Sequence, residues 1–547
     1  MTTQRVVEGV SIAMRSARYL LAVFAALAIV LAACGQQPSG GGGGTSASPV
    51  ANKPTYGGTV TFALENDVSN LDPMLSGLFV DRNIHYAMYD SLVRVDPKGN
   101  ITPWLATKWD TSADGKTVTF TLRTDVKFHD GTTFDADAVK WNIERYKTTQ
   151  GSLRTADLSS VDTVTVVNPS TVQFNLKSAF APLLGALVDR AGMMVSKAVV
   201  QSAGADFTLK PFKAGTGPFI LTEAVKNDHY TLEKNPNWWG TDPNNGNAKL
   251  PYLDKIIVRP ILDADVALTN LRTGNAQVIN RINGKDVAAV KADSTLSYQE
   301  VGSFSWASMV PNEAPGYIFN ERRYVKAVAM AIDRDELLQK GNAQGVGLVG
   351  WGPLSPAHFA YDPSFKPWPK ADPDGAKKLV DEVGKGPLKF ELLVSSGDAG
   401  TLQNAQLIKS ELEKAGITMD IKLQLFNDIV TLQQQHKHAG MTFVGWSGRL
   451  DPDGNTYDFV VTGSPNNDSS YSNLKVDDLM KQQRAESDPA KRKALLQQAQ
   501  QIYVVDDPSR VWWQFGVSPL ITVKNLIGME SYPDRIPRFQ TAQLKPS

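Results

Sequence analysis

Hydrophobic positions change their period several times along the chain, and each change marks an element. The first signal is an unbroken apolar run from Tyr19 to Ala33, preceded by Arg15 and Arg18. Its 15 residues fall short of the about 20 that a bilayer-spanning helix needs, and they fit the apolar segment of a secretory leader. Gly40 to Gly44 and Thr45-Ser-Ala-Ser-Pro49 follow, with nothing apolar to bury. Residues 34–55 therefore read as a flexible tether. Period two begins at Thr59–Leu64 and returns at Thr117–Arg123, where Val118, Phe120 and Leu122 share a face. Both predict strands, with Trp109 to Gly115 as a turn approach and Asp130-Gly131 as a turn. From Asp135 the spacing becomes helical: Val139, Ile143 and Tyr146 fall on one stripe, with Asp135 placed as N-cap. Val161–Val167 and Thr171–Leu176, flanking Asn168-Pro-Ser170, predict a hairpin.

The second half alternates between the two periods. Leu388–Val394 predicts a strand, and Leu402, Ala405, Ile408, Leu412 and Ala415 predict a helix. Ile417–Leu425 alternates strictly, Asn427 or Asp428 can cap a helix through Ile429 and Leu432, and Met441–Trp446 is again a strand. Strands separated by helices need crossover connections, so this is a β-α-β-α-β unit with a parallel sheet. Such sheets bind ligands beyond the carboxyl ends of their strands, which directs attention to Trp446–Asp453. A helix over 489–505 and two strands, Arg510–Phe515 and Leu520–Val523, close the chain in the style of the first region. A first lobe completed by the C-terminus is the expected arrangement.

Composition narrows the function classes. The 547 residues carry 56 Lys+Arg against 56 Asp+Glu, so no net positive field recruits nucleic acid. Length alone predicts several domains. One cysteine excludes an internal disulfide and a cysteine-based metal centre. That cysteine, Cys34, stands directly after the apolar run. Leu31-Ala-Ala-Cys-Gly35 resembles the bacterial lipobox, which implies cleavage before Cys34, leaving residues 1–33 as signal peptide, and acylation of Cys34. Several acyl chains hold a membrane where one binds only marginally, since each buried CH₂ contributes about 0.8 kcal/mol.

Further blocks carry a wider resemblance: Leu71-Asp-Pro73, Tyr89-Asp-Ser-Leu-Val-Arg94, Trp104-Leu-Ala-Thr-Lys-Trp109 and Val126-Lys-Phe-His-Asp-Gly131. Gly215-Thr-Gly-Pro-Phe219, Asn235-Pro-Asn-Trp-Trp-Gly240 and Ala331-Ile-Asp-Arg334 continue the order. Together they resemble the family-5 extracytoplasmic solute-binding proteins, the peptide, dipeptide, oligopeptide and nickel receptors of ABC importers. The resemblance implies an α/β, two-lobed periplasmic-binding-protein fold of the class II, cluster C type. It implies lobe I over 56–310 with an extra subdomain near 86–211, lobe II over 311–505, and a return to lobe I over 506–547. It also implies a monomeric receptor, not an enzyme, with no cofactor and no resident metal. Its partners would be a solute, an integral membrane permease, and the bilayer reached through Cys34, on the extracytoplasmic side.

The same resemblance directs attention to particular side chains. Gly445-Trp-Ser-Gly-Arg449 is similar to the family segment that carries an acidic anchor for a peptide amine, but Arg449 stands where that aspartate would. A guanidinium there favours carboxylate or phosphate, or else pairs internally with Asp451 or Asp453. Trp446 has two open roles, stacking on ligand and filling the core. Trp351, in Trp351-Gly-Pro353, belongs to a cleft-wall loop or to the hinge packing. Tyr317 precedes a strand-like entry to the second lobe. Met74 and Leu75 either cover ligand or fill core. A short peptide or peptide-like solute is the leading expectation. Sugars, opines, small carboxylates and chelated nickel remain as alternatives, with a cleft hydrolase as a distant one.

Other motifs fail on context. Gly345-Val-Gly-Leu-Val-Gly350 matches a dinucleotide fingerprint in letters, yet it follows a helix, and Trp351-Gly-Pro353 cannot open the phosphate-facing helix. Asp451-Pro-Asp-Gly-Asn455 lacks the later ligands of a calcium loop.

Overall fold

A computed structural model describes residues 53–396, 399–464 and 466–546. Cys34, the expected leader and most of the tether lie outside the described residues. Among the described residues no helix is long and apolar enough to cross a membrane.

One large mixed sheet runs through the protein. Its strand order is Thr418–Gln424, Lys389–Ser395, Met441–Trp446, Leu296–Pro311, Val511–Val523, Val278–Ile279, Thr59–Leu64, Lys255–Pro260, His229–Lys234 and Phe219–Val225, with Leu348–Val349 added on Val511–Val523. The first three are mutually parallel, as the β-α-β-α-β pattern predicts. The intervening helix Ala399–Lys414 places Ala405, Ile408 and Leu412 in the core. A separate antiparallel sheet orders Ala106–Thr111, Thr117–Leu122, Thr171–Leu176 and Val161–Asn168. Asp135 caps its helix Ala136–Thr148 by accepting from the Ala138 N–H at 2.9 Å. Val118, Phe120, Leu122, Val139, Ile143 and Tyr146 then meet in one core.

Three local readings need correction. Trp109 lies inside a strand rather than a turn approach, because Ala106–Thr111 pairs with Thr117–Leu122. The helix after Thr418–Gln424 begins at Phe426 with Leu425 in the N-cap position, so neither Asn427 nor Asp428 caps it. Arg510–Phe515 and Leu520–Val523 are one strand, Val511–Val523. Val517, Ser518 and Pro519 keep pairing with Gly302, Val301 and Glu300. The break suggested by Gly516 is a bulge, with Ser303–Ser305 looping out opposite it. A Cβ on Gly516 would sit 2.3 Å from Ser305 Oγ, so the small residue admits the bulge.

This long strand pair crosses between distinct cores. Leu520 joins Val60, Phe62 and Val258, together with Met529, Ile536 and Phe539 near the C-terminus. Val511 and Trp513 instead pack with Met309, Val328 and Leu392, and Trp512 and Phe515 pack with Trp306, Phe459 and Leu496.

The sequence blocks singled out in the first half converge on one buried carboxylate. Asp90 is 3% exposed and accepts from the indole N–H groups of Trp104 at 2.7 Å and of Trp238 and Trp239 at 3.2 Å. Thr216 Oγ1 donates to the same carboxylate at 3.2 Å. Burial pushes the Asp90 carboxyl up and the indole hydrogen bonds oppose this. Nearby, His129 Nε2 donates to the Gly217 carbonyl at 2.9 Å, and the Asn235 amide donates to the same oxygen at 3.0 Å. These blocks thus have structural roles, tied to one another through buried hydrogen bonds.

Two outcomes follow from this packing. Replacing Asp90 by Ala orphans three indole donors at about 1 kcal/mol each and should cost about 3 kcal/mol in urea unfolding at pH 7. Burial lowers the His129 pKa from 6.5 to about 4, so the folded state holds it neutral. Between those values the unfolded chain binds more protons. This contribution to stability is therefore complete above pH 6.5 and fades as pH falls toward 4, by up to about 1.4 kcal/mol per unit. The difference in unfolding free energy between wild type and His129→Gln should shrink over that window. A constant difference would show that His129 does not titrate with folding.

Candidate functional site

The carboxyl end of Met441–Trp446 leads into the loop Ser447–Pro452 and then the helix Asp453–Val460. Gly448 has φ +80°, and a Cβ there would lie 2.3 Å from the Phe304 backbone. Only glycine lets the loop turn this close to the crossing strand. Asn455 locks the turn: its Oδ1 accepts from the Arg449 N–H at 2.7 Å, and its amide donates to the Phe304 carbonyl at 2.7 Å. His358 adds a third clasp. The Ser355 N–H donates to its Nδ1 at 3.0 Å, so Nε2 carries the proton and donates to the Arg449 carbonyl at 2.9 Å. Burial lowers the His358 pKa to about 4, which keeps this tautomer neutral.

With its backbone fixed, Arg449 has a defined but unpaired head. Its guanidinium lies 4.5 Å from the Trp446 ring centroid and donates to the Gly448 carbonyl at 2.8 Å. The two internal partners open to it in the sequence are both taken. Asp451 is held by Arg492 through contacts of 2.7 and 2.5 Å, and Asp453 by Arg484 through two of 2.8 Å. Gln483 ties the pairs together: its amide donates to Asp453 at 2.5 Å and its Oε1 accepts from Arg492 at 3.0 Å. Among the described residues no carboxylate forms an ion pair with Arg449.

The facing wall comes from the residues around 154–190. Ala181 N–H donates to the Arg484 carbonyl at 2.7 Å, and Leu450 packs onto the core of the antiparallel sheet. Gly185 approaches so closely that a Cβ would stand 2.7 Å from Asp451 Cβ. Between these walls lies a cavity of about 490 Å³, within the range of small-ligand sites. Phe180, Pro182, Gly185 and Ala186 line one side, and Arg449, Gly454, Tyr457 and Asp458 the other. Arg484 stacks over Tyr457 at 3.1 Å.

The electrostatics at Arg449 are set across the gap. Burial lowers its pKa, Asp189 opposes this, and Arg82 adds to the lowering. Burial would raise Asp189, but Arg82, Arg190 and Arg449 hold it well below the usual carboxylate range. Arg190, 2% exposed, is pushed down to about 9 by burial, opposed by Asp189 and reinforced by Arg154, Arg82 and Arg449. Four guanidiniums thus crowd one region, where Asp189 pairs with Arg82 at 3.0 Å and Asp157 with Arg154 at 2.8 Å.

Of the residues singled out in the sequence, Arg449 and Asp451 line the cavity and Trp446 supports Arg449 from below. Trp446 also donates from Nε1 to the Gly454 carbonyl at 3.1 Å and meets Phe459 edge-on at 5.0 Å. Trp351 faces Arg334, whose guanidinium is 4.6 Å from its ring. Met74, 4% exposed, sits in the core of the antiparallel sheet, and Leu75 borders it. Tyr317 precedes the short turn Ile318–Asn320 and donates its N–H to the Ala314 carbonyl at 3.1 Å. It does not line the cavity. Sequence reasoning did not single out the cavity-lining Phe180, Tyr457 and Asp458, nor Arg82, Arg154 and Arg190, whose charges act near the cavity. One signal was available for Arg82: four polar residues, Asp81, Arg82, Asn83 and His85, interrupt an otherwise apolar stretch over Phe79–Met88, and that helix is almost wholly buried.

The model for bacterial extracellular solute-binding proteins, family 5, matches residues 100–468. The glutathione-binding protein GsiB of Shigella boydii is 28% identical over 505 residues, covering 89% of this chain and 94% of the relative. Among solved structures, the periplasmic binding protein DppA of Helicobacter pylori, in complex with the peptide STSA, superposes with a TM-score of 0.77 at 24% identity over 90% of this chain and 99% of that one. The oligopeptide-binding protein AppA of Bacillus subtilis, in complex with a nonapeptide, gives 0.75 at 21% identity over 90% and 100%. These likenesses confirm the two-lobed α/β fold. The chain belongs to the family-5 bacterial extracellular solute-binding proteins.

Proposed function

We propose that this protein is the receptor of an ABC importer and delivers a short peptide or peptide-like solute that carries a carboxylate. The observation that carries this reading is Arg449: it lines the cavity, among the described residues no carboxylate forms an ion pair with it, and the charges of three further guanidiniums, Arg82, Arg154 and Arg190, act on the same region. An unpaired buried guanidinium is costly, and a carboxylate solute satisfies it by a charge-assisted, bidentate contact. The name of GsiB specifies glutathione, a tripeptide with two carboxylates, and the Helicobacter DppA structure holds a peptide. Both support a peptide-like cargo here.

Delivery needs opening and closing rather than chemistry. Leu296–Pro311 and Val511–Val523 cross between the cores, and their bulge at Ser303–Ser305 offers a place where the lobes can hinge. Closure excludes water and strengthens every polar contact to the solute. The solute then passes unaltered to a membrane permease. Acylated Cys34, followed by the glycine-rich tether, keeps the receptor beside that permease on the extracytoplasmic side.

Native mass spectrometry of protein purified from its host should show a co-purified solute bearing a carboxylate. Arg449→Ala should weaken that solute about 10- to 100-fold in calorimetry, as expected for one lost charge-assisted contact of about 1.5–3 kcal/mol. Unchanged affinity would remove Arg449 from recognition. A co-purified sugar, opine or metal chelate would replace the peptide reading. Cys34→Ser should move the protein from the membrane fraction to the soluble fraction. Membrane partition equal to wild type would refute the anchor.

A further inference from the structure

Lysines gather where the chain enters the first strand. Thr55 donates its N–H to Gln543 Oε1 at 2.9 Å, and Lys545 donates from Nζ to Thr55 Oγ1 at 2.8 Å. The Lys545 N–H donates in turn to the carbonyl of Asn525, beside Lys524, at 2.9 Å. On the other side the Tyr56 hydroxyl donates to the Lys249 carbonyl at 3.0 Å, and the Lys234 ammonium stands 4.9 Å from the Tyr56 ring centroid. Lys53 precedes Thr55 by two residues. Lys53, Lys249 and Lys524 are exposed, and Lys234 and Lys545 are half-buried. Among the described residues none of these five lysines forms an ion pair.

Nearby carboxylates leave this positive charge uncancelled. Asp242 is buried and accepts from the Tyr252 hydroxyl at 2.8 Å, and Glu233 pairs with Lys255 at 3.3 Å. Thr295, whose carbonyl accepts from the Lys524 N–H, is held by Asp293, and that carboxylate pairs with Arg272 at 3.5 Å. Asp254 is exposed and forms no ion pair among the described residues; a Cβ on Gly57 would stand 3.3 Å from its Oδ2. Five ammonium groups therefore face one free carboxylate. The same face is partly apolar. Tyr56 is 49% exposed and Ile527 42%, and Ile527 pairs with Gln543 across the short strands Leu526–Ile527 and Gln543–Leu544. Lysines around an exposed tyrosine and isoleucine match a membrane–water boundary, where ammonium groups meet lipid phosphate and the ring sits at headgroup level.

We infer that this lysine face docks on the anionic lipid headgroups of the bilayer that tethers the receptor. This rests on the reading that Cys34 is acylated, and it adds a second membrane signal: the acyl chains hold the receptor and the basic face orients it. Residues 34–52, read as a flexible coil, span about 25 Å, which keeps the face within reach of the surface. The face lies at the amino end of the parallel strands Thr59–Leu64 and Lys255–Pro260, which pair in register from Thr59 with Lys255 to Leu64 with Pro260. The chain beyond the carboxyl end of Thr59–Leu64 leads to the cavity instead. Ser69 donates its N–H to Asp81 at 2.7 Å, and Arg82, next to Asp81, acts on Arg449. The length of the strand, about 20 Å, separates the two ends. Docking by this face therefore leaves the cavity open to solute.

The test uses mature receptor purified from its host membranes and floated with vesicles of phosphatidylcholine, or of phosphatidylcholine and phosphatidylglycerol in equal parts. An amine-reactive ester acetylates the lysines, and mass spectrometry reads the rate at each. Lys53, Lys234, Lys249, Lys524 and Lys545 should react about fivefold or more slowly on the anionic vesicles than on the neutral ones. Lys475 and Lys491, exposed on helices far along the chain, should react alike on both. Protection should vanish at about 1 M salt, where the screening length falls to about 3 Å. The double variant Lys53→Glu, Lys524→Glu should release the other three lysines while melting at the wild-type temperature. Equal rates on both vesicles overturn the proposal. So does equal protection of Lys475 and Lys491, which marks adsorption without orientation. Protection that grows with protein concentration on neutral vesicles overturns it in favour of a second copy of the chain. Failure to float with neutral vesicles removes the acyl anchor, while salt-sensitive flotation with the anionic ones still upholds the lysine face. Flotation with neither removes both.

Discussion

The cleft is organised by the cost of burying charge. Asp451 and Asp453 sit at the start of one helix, where two carboxylates would repel each other and lose hydration. Arg492 and Arg484 each take one of them in a two-point contact, and Gln483 links the pairs. Removing either arginine would strand a buried carboxylate, which costs far more than the net worth of the pair. Because those partners come from the helices Leu474–Ala485 and Pro489–Gln501, the loop after Met441–Trp446 is braced from behind. That bracing frees Arg449. Its nearest acidic neighbours in sequence are already satisfied, and among the described residues it forms no ion pair, with Asp189 the principal carboxylate acting on it.

Stiffness elsewhere serves the same end. Asp90 gathers three indoles from separated segments and ties them to one buried point. Arg334 does comparable work in the second lobe by donating to the carbonyls of Trp512, Ala329 and Ile332.

Much of this was legible in the chain. Strict alternation over Thr117–Leu122 and helical spacing from Asp135 fix their elements because one face of each meets a core and the other meets water. The parallel unit Lys389–Trp446 was legible for the same reason, and its topology points to Trp446–Asp453 at the carboxyl end of its strands. The long strand Leu296–Pro311 was not, since half of it is only partly buried and Gly302 and the serines beside it blur the alternation. Tertiary pairing with Val511–Val523 decides its conformation, and a local window does not contain that partner.

The candidate site divides along the same line. Arg449 lines the cavity, and its neighbours in sequence are what give the loop that carries it a context. Its choice of partner was not legible, because Arg492 and Arg484 lie more than thirty residues away and periodicity says nothing about which aspartate they meet. Asp458, which also lines the cavity, carries no such signal in the sequence. On the helix Asp453–Val460 an aspartate reads as an ordinary solvated residue, and only the facing wall around Phe180 turns that exposed face into the lining of a cavity. Pattern along the chain therefore finds the walls of such a receptor more readily than the contacts that select its cargo.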